Sequence, residues 1–327
     1  MLVSVIIPTH NRFNLLKQTV ASVQAQDHAN WELLLIDDGS SDETLTWSRI
    51  TQDQDQRLRV LERKAYRTGA SGAQVCRNIG LQMAQGQAIL FLDSDDLLAP
   101  NCLSQRLKIL ETDPNLDCVI AQAGYFLDQP FDVGKERIWG LWNAGDDDLD
   151  LFLSDKIPWQ TSGPLWRQTS LERIGPWDEK LVHVGHDHEF HVRALCKGIQ
   201  YKKEEIVDYF WRVPRNDSLS SLESFKRRHR DGGMIKAYQA IMKDVVFSGK
   251  VTQQRTNLMT KEIIKLAIQC RNFGGSSELA EQGIMDAHRH HLLKYWKLII
   301  CRVLLRCWWR VGGIVPAMSL LGRLAVS

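Results

Sequence analysis

Asp93, Ser94, Asp95 and Asp96 place three carboxylates in four consecutive positions, directly after the apolar run Ala88-Ile89-Leu90-Phe91-Leu92. Carboxylates that close repel one another unless a cation lies between them. An all-oxygen set of this kind suits a hard divalent cation, Mg²⁺ or Mn²⁺, and such ions are commonly bound together with phosphates. The alternative is a solvated acidic turn that caps a helix starting near Pro100. Two more polar turns have the same placement. Pro8-Thr9-His10-Asn11 follows the apolar stretch from Val3 to Ile7, and Asp37-Asp38-Gly39-Ser40 follows Leu33-Leu34-Leu35-Ile36.

The elements that must carry these turns alternate between strand and helix. Strands are expected over Val3–Ile7, Leu33–Ile36, Leu58–Leu61, Ala88–Leu92 and Cys118–Gly124. Helices are expected over Asn14–Ala25, from a Ser40/Glu43 capping box onward, over Gly72–Gln85 and from Pro100 to about Leu110. Apolar strands joined by crossover helices predict an α/β fold with a mainly parallel sheet covered on both faces. Ligands of such sheets bind outside the carboxyl ends of the strands, so the three turns are expected to build one site. No G-x-G-x-x-G follows the first strand and no Walker A sequence is present, which disfavours dinucleotide and P-loop folds.

The middle of the chain is less regular. Gly185-His186-Asp187-His188-Glu189 opens a helix that ends near Cys196, and Ile206–Val213 reads as another strand. His183, His186, His188, Glu189 and His191 invite a zinc reading, but His188 and His191 are three apart and no H-E-x-x-H occurs. Surface or active-site histidines are therefore expected. From Ser221 onward the pattern is helical, interrupted at Gly232-Gly233 and Gly274-Gly275, and a boundary is placed near Ser220.

A chain of 327 residues fits one large α/β domain with an appendage, and a formal charge of +2 gives no reason to expect nucleic acid. Seven scattered cysteines without a C-x-x-C pair suggest buried thiols in a reducing compartment. The first residues read as a strand rather than a signal peptide, and a cytoplasmic protein is expected.

Taken together, these residues resemble glycosyltransferase family 2, inverting nucleotide-sugar transferases of the GT-A fold. Val3 to Arg12 is similar to the family's first strand and turn, and Asp37 to Asp42 to its second signature. Arg77-Asn78-Ile79-Gly80 matches R-N-x-G, and Asp93-Ser94-Asp95-Asp96 matches D-x-D-D. Ser162-Gly163 and Ile174 to Glu179 look like the acceptor-side segment, and Gly185-His186-Asp187 stands at the family's E-D element.

The resemblance implies a GT-A catalytic domain over 1–220, with a donor half to about 125 and an acceptor half from about 126. A helical region over 221–327 would follow. It further implies a nucleoside-diphosphate sugar, by default a UDP-sugar, with Pro8, Thr9, Asn11, Asp38, Arg77, Asn78, Asp93 and Ser94 around it. Asp95 and Asp93 would hold Mg²⁺ or Mn²⁺, and Asp187 would act as base on the hydroxyl of a glycan or lipid-linked acceptor. Two departures stand out: His186 replaces the usual Glu, and the segment after Trp211-Arg212 lacks the His that many relatives carry, leaving Arg215 as a cation for the diphosphate. A sugar nucleotidyltransferase or a catalytically silent carbohydrate-binding relative are the competing readings.

Eleven tryptophans are present, and one or two of Trp139, Trp142, Trp159, Trp166 and Trp177 are expected in an acceptor groove, with core packing for the rest. The segment 292–310 mixes Leu, Ile and Trp with Arg302, Arg306 and Arg310, which share a helix face. It is too interrupted for the roughly 20 apolar residues of a membrane span. Either it lies in the plane of a membrane surface or it packs on protein.

Overall fold

The computed structural model describes residues 1–182, 184–213, 222–294 and Cys301. In chain order the elements begin with β1 (Val3–Thr9), α1 (Phe13–Gln24), β2 (Trp31–Asp37), α2 (Thr44–Gln54), β3 (Leu58–Glu62), α3 (Arg63–Tyr66), α4 (Ala73–Met83), β4 (Ala88–Phe91), β5 (Leu97–Leu98) and α5 (Cys102–Thr112). They continue with β6 (Cys118–Phe126), β7 (Ile138–Trp139), α6 (Asp148–Leu153), β8 (Pro164–Arg167), α7 (Gln168–Ile174), α8 (His186–Cys196), β9 (Tyr201–Arg212), α9 (Leu222–Arg230), α10 (Gly233–Phe247), α11 (Gln253–Asn272) and α12 (Ser277–Arg289).

Two compact units interleave along the chain. Met1–Asn143, Pro158–Val182 and Gly198–Val213 form the first; Ala144–Ile157, His183–Lys197 and the described residues beyond Val213 form the second. The expected boundary near Ser220 falls outside the described residues. The units do not divide the chain at one point, because α6 and α8 are stretches of the middle that bury their apolar faces among the later helices.

In the first unit the strands order as β3-β2-β1-β4-β8-β6-β9-β5, with β7 paired to β6. β1, β2, β3 and β4 run parallel, β6 and β9 share their direction, and β8, β5 and β7 run against them. The α/β expectation therefore holds with a mixed sheet. The reversed strands are short, which is why no periodicity announced them. Every residue of β1 and β2 is buried, as continuous apolar runs covered on both faces must be. Pro8 lies inside β1, paired with Ile36, instead of ending the strand. Its missing N–H falls on the β4 side, where pairing has already stopped at Ile6 with Phe91. Gly80 in α4 permits the close seating of that helix on the sheet: a Cβ there would lie 2.4 Å from Ile6 Cγ2.

The expected Ser40/Glu43 box does not form. α2 starts at Thr44, whose N–H donates to Asp42 Oδ1 at 3.0 Å, while Ser40 Oγ accepts from Asn11 N at 2.9 Å. Ser40 belongs to the turn that follows β2, not to the helix.

An ion pair ties α5 to β9 beneath the sheet's carboxyl edge. Arg106 Nε donates to Asp208 Oδ2 at 2.7 Å, its Nη2 donates to Oδ1, and Nη1 donates to Ser162 O at 3.1 Å; both side chains are fully buried. Removing one partner of such a pair leaves a buried charge uncompensated. Asp208→Asn should therefore destabilise the protein by about 3 kcal/mol or more, read as a shift of the urea midpoint. A shift within error would mean the guanidinium finds other acceptors.

In the second unit α8 is held by polar and ring contacts. His188 Nε2 donates to Phe152 O at 2.7 Å, Tyr238 Oη donates to Leu153 O at 2.7 Å, and His191 stacks on Phe152 with ring centroids 5.7 Å apart. Gly185 precedes α8 at φ +66°, and a Cβ there would lie 2.5 Å from Ala237 Cβ in α10. Among the described residues no helix is long and apolar enough to cross a membrane. Of the segment 292–310, only 292–294 and Cys301 are described, so its arrangement lies outside the described residues.

Candidate active site

The turns after β1, β2 and β4 meet at one edge of the first unit. Asn11, at φ +51°, uses Oδ1 to accept from Ser41 N at 2.8 Å, which ties the first turn to the second. Asp38 N donates to Thr9 O at 2.9 Å, a second link between them. Asp37 faces inward and shapes its own turn, with Oδ2 accepting from Gly39 N at 2.9 Å and Ser40 N at 3.0 Å. Asp38 accepts from Arg63 Nε through Oδ1 and from Gly72 N at 2.7 Å through Oδ2. A carboxylate has about four lone-pair sites, so Asp38 retains capacity for a further donor.

Asp93 to Asp96 form a tight turn, with Asp96 N donating to Asp93 O at 3.1 Å. Its carboxylates have different surroundings. Asp96 is buried, and its two oxygens accept from Ser162 Oγ at 3.0 Å and Arg212 N at 3.2 Å. Burial and then the charges of Asp95 and Asp93 push its carboxyl well above the usual range, and with both oxygens engaged Asp96 braces the turn. Asp93 and Asp95 are half-buried. Arg77, itself buried on α4, donates from Nη2 to Asp93 Oδ1 at 2.6 Å and lies 4.7 Å over the Trp177 ring. Burial and the charge of Asp93 raise the pKa of Asp95, partly offset by Arg12 and Arg212.

Two repelling, partly dehydrated carboxylates fit a divalent cation that takes its remaining ligands from phosphate and water. Among the described residues no group of three or more His, Cys, Asp and Glu side chains is arranged to hold a metal ion by itself.

Not every expected residue reaches this cluster. Asn78 is committed elsewhere: its Oδ1 accepts from Trp177 N at 2.8 Å, and its Nδ2 donates to Trp177 O and Glu179 Oε1, both at 3.0 Å. It fixes the segment whose Trp177 ring abuts Phe91 edge-on, with centroids 5.2 Å apart. Pro8 is buried in β1, Thr9 is buried at its end, and Ser94 is the half-buried second residue of the acidic turn. Trp159, Trp166 and Trp177 belong to the core. Trp139 is part of a half-buried aromatic group, with ring centroids 5.9 Å from Tyr125 and 5.5 Å from Trp211. Arg215 and His183 lie outside the described residues.

Arg212 and Ser162 hold the acidic turn from behind. Arg212 Nε donates to Asp95 O at 2.8 Å and its Nη2 to Gln18 Oε1 at 2.8 Å. Ser162 Oγ also receives Asp93 N, at 3.3 Å. The bracing roles of Arg212, Ser162 and Arg63 were not anticipated. Each pairs with a residue at least 25 positions away, and no local pattern marks such a partner.

In the second unit, Asp187 is the second residue of α8. Burial would raise its pKa, but His186, the backbone of His188 and the rings of His188 and His191 outweigh it and hold the carboxyl down at about 2. A helix N-terminus favours that charge. The neighbouring Glu189 is buried and bound by Arg193, whose Nε donates to Oε1 at 2.6 Å.

The chain is similar in sequence and in fold to known proteins. The family profile "Glycosyl transferase family 2" matches residues 4–169, half of the chain. The chain is 27% identical over 237 residues to the UDP-Glc:alpha-D-GlcNAc-diphosphoundecaprenol beta-1,3-glucosyltransferase WfaP of Escherichia coli, covering 72% of this chain and 86% of that protein. WfgD of Escherichia coli, named for the same activity, is 39% identical over 109 residues, with 33% of this chain and 41% of that protein covered. A Campylobacter jejuni GalNAc(5)-diNAcBac-PP-undecaprenol beta-1,3-glucosyltransferase is 38% identical over 105 residues, with 32% of this chain and 33% of that protein covered.

Among solved structures, S. aureus TarS superposes with a TM-score of 0.66 at 16% identity, covering 99% of this chain and 55% of that one. The mannosyltransferase PcManGT of Pyrobaculum calidifontis, solved with GDP-Man and Mn²⁺, gives 0.55 at 16% identity, covering 99% and 85%. These likenesses establish the fold. With an acidic turn at the carboxyl edge of a mixed sheet and a family profile running from the first strand to Gln168 and Thr169, the chain belongs to glycosyl transferase family 2.

Proposed function

We propose that this protein transfers a hexosyl residue from a UDP-sugar to a hydroxyl of a lipid-diphosphate-linked glycan, inverting the anomeric centre in one displacement. The observation that carries this reading is the convergence of Asp38, Asp93 and Asp95 at one sheet edge, with Arg77 and Arg63 fixing two of the three. Asp38 accepts from the base through its remaining lone pairs, and the first turn lies beside the nucleotide. Arg77 keeps Asp93 in one orientation, and Arg212 and Ser162 hold the turn rigid. Asp95 and Asp93 would hold a divalent cation, which neutralises the charge that grows on the departing diphosphate.

Asp187, ionised throughout the neutral range, takes the proton of the acceptor hydroxyl as the new bond to the anomeric carbon forms. The electrons of the broken C–O bond leave with UDP. A hydroxyl is too weak a nucleophile without such a base. The names of the relatives support a glucosyl donor and a GlcNAc-diphosphate lipid acceptor. Work on a lipid-linked acceptor would place the protein at a membrane surface, and the segment 292–310 is the candidate contact.

A panel of UDP-sugars offered with a GlcNAc-diphosphate lipid, with Mg²⁺ or Mn²⁺ present, tests the reading. Transfer from one UDP-sugar is expected, with an inverted linkage seen by NMR and loss of product in excess chelator. A retained anomeric configuration, or undiminished product in chelator, would overturn the mechanism. Formation of UDP-sugar from UTP and a sugar phosphate would favour the nucleotidyltransferase instead.

A further inference from the structure

Helix α9 ends in Lys226, Arg227, Arg228, His229 and Arg230. Cations are favoured at a helix C-terminus, which is reason enough for exposed members of the run. Arg230 is also paired with Asp231, Nε to Oδ1 at 3.0 Å. His229 is buried against Phe273, with ring centroids 5.8 Å apart. Arg228 is different. It is half-buried, and its Nε lies below the surface without a hydrogen-bond partner among the described residues. Burial lowers its pKa, Asp187 draws it back up, and the adjacent Arg227 lowers it again. A guanidinium does not give up its proton in a protein, so this group stays charged with its Nε unmet among the described residues. A Cβ on Gly233 would lie 2.7 Å from Val184 Cγ1 and 3.5 Å from Arg228 O, so the end of α9 lies beside the residues that lead into α8 and Asp187.

We propose that Arg228, together with Arg227, binds the diphosphate of the lipid-linked acceptor. The inference rests on the reading of Asp187 as the base for the acceptor hydroxyl. If the hydroxyl being glycosylated belongs to the sugar that carries the diphosphate, the diphosphate lies one pyranose ring away from the base. A cation at the end of α9, beside the residues that lead into α8, is then in the right place for it. Arg suits the task because its fork of N–H groups matches phosphate oxygens. The site would select acceptors by their diphosphate, while the donor's diphosphate is handled by the first unit's acidic turn.

Farnesyl diphosphate is a soluble probe, titrated by calorimetry into the full-length protein saturated with UDP and Mn²⁺. It should bind at least about tenfold more tightly than farnesol, and Arg228→Ala should weaken it about tenfold or more. Arg228→Lys should recover part of the loss, and UDP affinity should be the same in all three proteins. If Arg228→Ala lowers the melting midpoint, comparison of Arg228→Lys with Arg228→Met decides in its place, since both keep the aliphatic stem. Equal binding of farnesyl diphosphate by variant and wild type would overturn the proposal, as would a parallel loss of UDP affinity. Phosphatidylglycerol vesicles separate the other source of phosphate: release of Arg228→Ala from vesicles with unchanged farnesyl diphosphate binding would assign α9 to headgroups and also overturn it. Since the readout is binding, a failure of Asp187 as base would appear independently, as full sugar transfer by Asp187→Asn.

Discussion

Asp95→Asn should lower sugar transfer by about 10²-fold or more while the melting midpoint stays level or rises. The two halves of this expectation come from the same charges. Asp95 is half-buried beside Asp93, and burial and that neighbour raise its pKa. An acid whose folded pKa lies above its unfolded value is disfavoured in its ionised form by folding, so its charge costs stability at every pH above that range. Asn has the same size and no charge, and it removes the repulsion. It also removes the ligand proposed to face the diphosphate. Adding Mn²⁺ with UDP should raise the midpoint of the wild type and leave that of Asp95→Asn nearly unmoved, as measured by differential scanning calorimetry. Asp96 provides the contrast, because its oxygens already accept from Ser162 and Arg212. Asp96→Ala should lower the midpoint, since it leaves those donors unmet. Near-normal transfer by Asp95→Asn would remove the metal assignment; a clear fall in its midpoint would show that the carboxylate holds the turn instead.

Much of the framework around the three turns was legible because it depends on local pattern. Continuous apolar runs ending in Asp or Pro marked β1, β2 and β4 and their turns, and an α/β sheet brings such ends to one edge. What the local pattern does not carry is partner identity. Nothing near Asp208 in the chain marks Arg106, 102 positions away, as its counter-charge, and nothing near Asp95 points to Arg212, 117 positions on. The same limit explains Asn78. R-N-x-G put it next to Arg77, and the resemblance carried both toward the nucleotide, yet one turns to Asp93 and the other to Trp177. Successive helix residues point about 100° apart, so adjacent motif members need not share a target. The short strands β5 and β7 were invisible for another reason: two residues are too few for any period.

Asp187→Asn should lower transfer by about 10²-fold or more, with UDP affinity close to that of the wild type. The amide keeps the shape of the side chain but cannot take a proton. Its neighbours make the substitution informative. Glu189, two residues on, is buried and held by Arg193, so it has no freedom to replace Asp187 as base. His186, the backbone of His188 and two further imidazoles keep Asp187 ionised with a pKa of about 2 against the opposing effect of burial. A depressed carboxylate pKa stabilises the fold above the unfolded value and loses that contribution as pH falls toward 2. Asp187 is thus ionised throughout the neutral range, and an acid limb of the rate profile near neutrality would belong to another group. His186→Glu replaces an imidazole with a like charge, which should move the pKa of Asp187 upward while leaving a base in place. It should therefore retain far more transfer than Asp187→Asn. Steady-state rates and UDP titrations on the two variants separate the possibilities: wild-type transfer by Asp187→Asn would remove the base assignment, and loss of UDP binding would move Asp187 to the donor site.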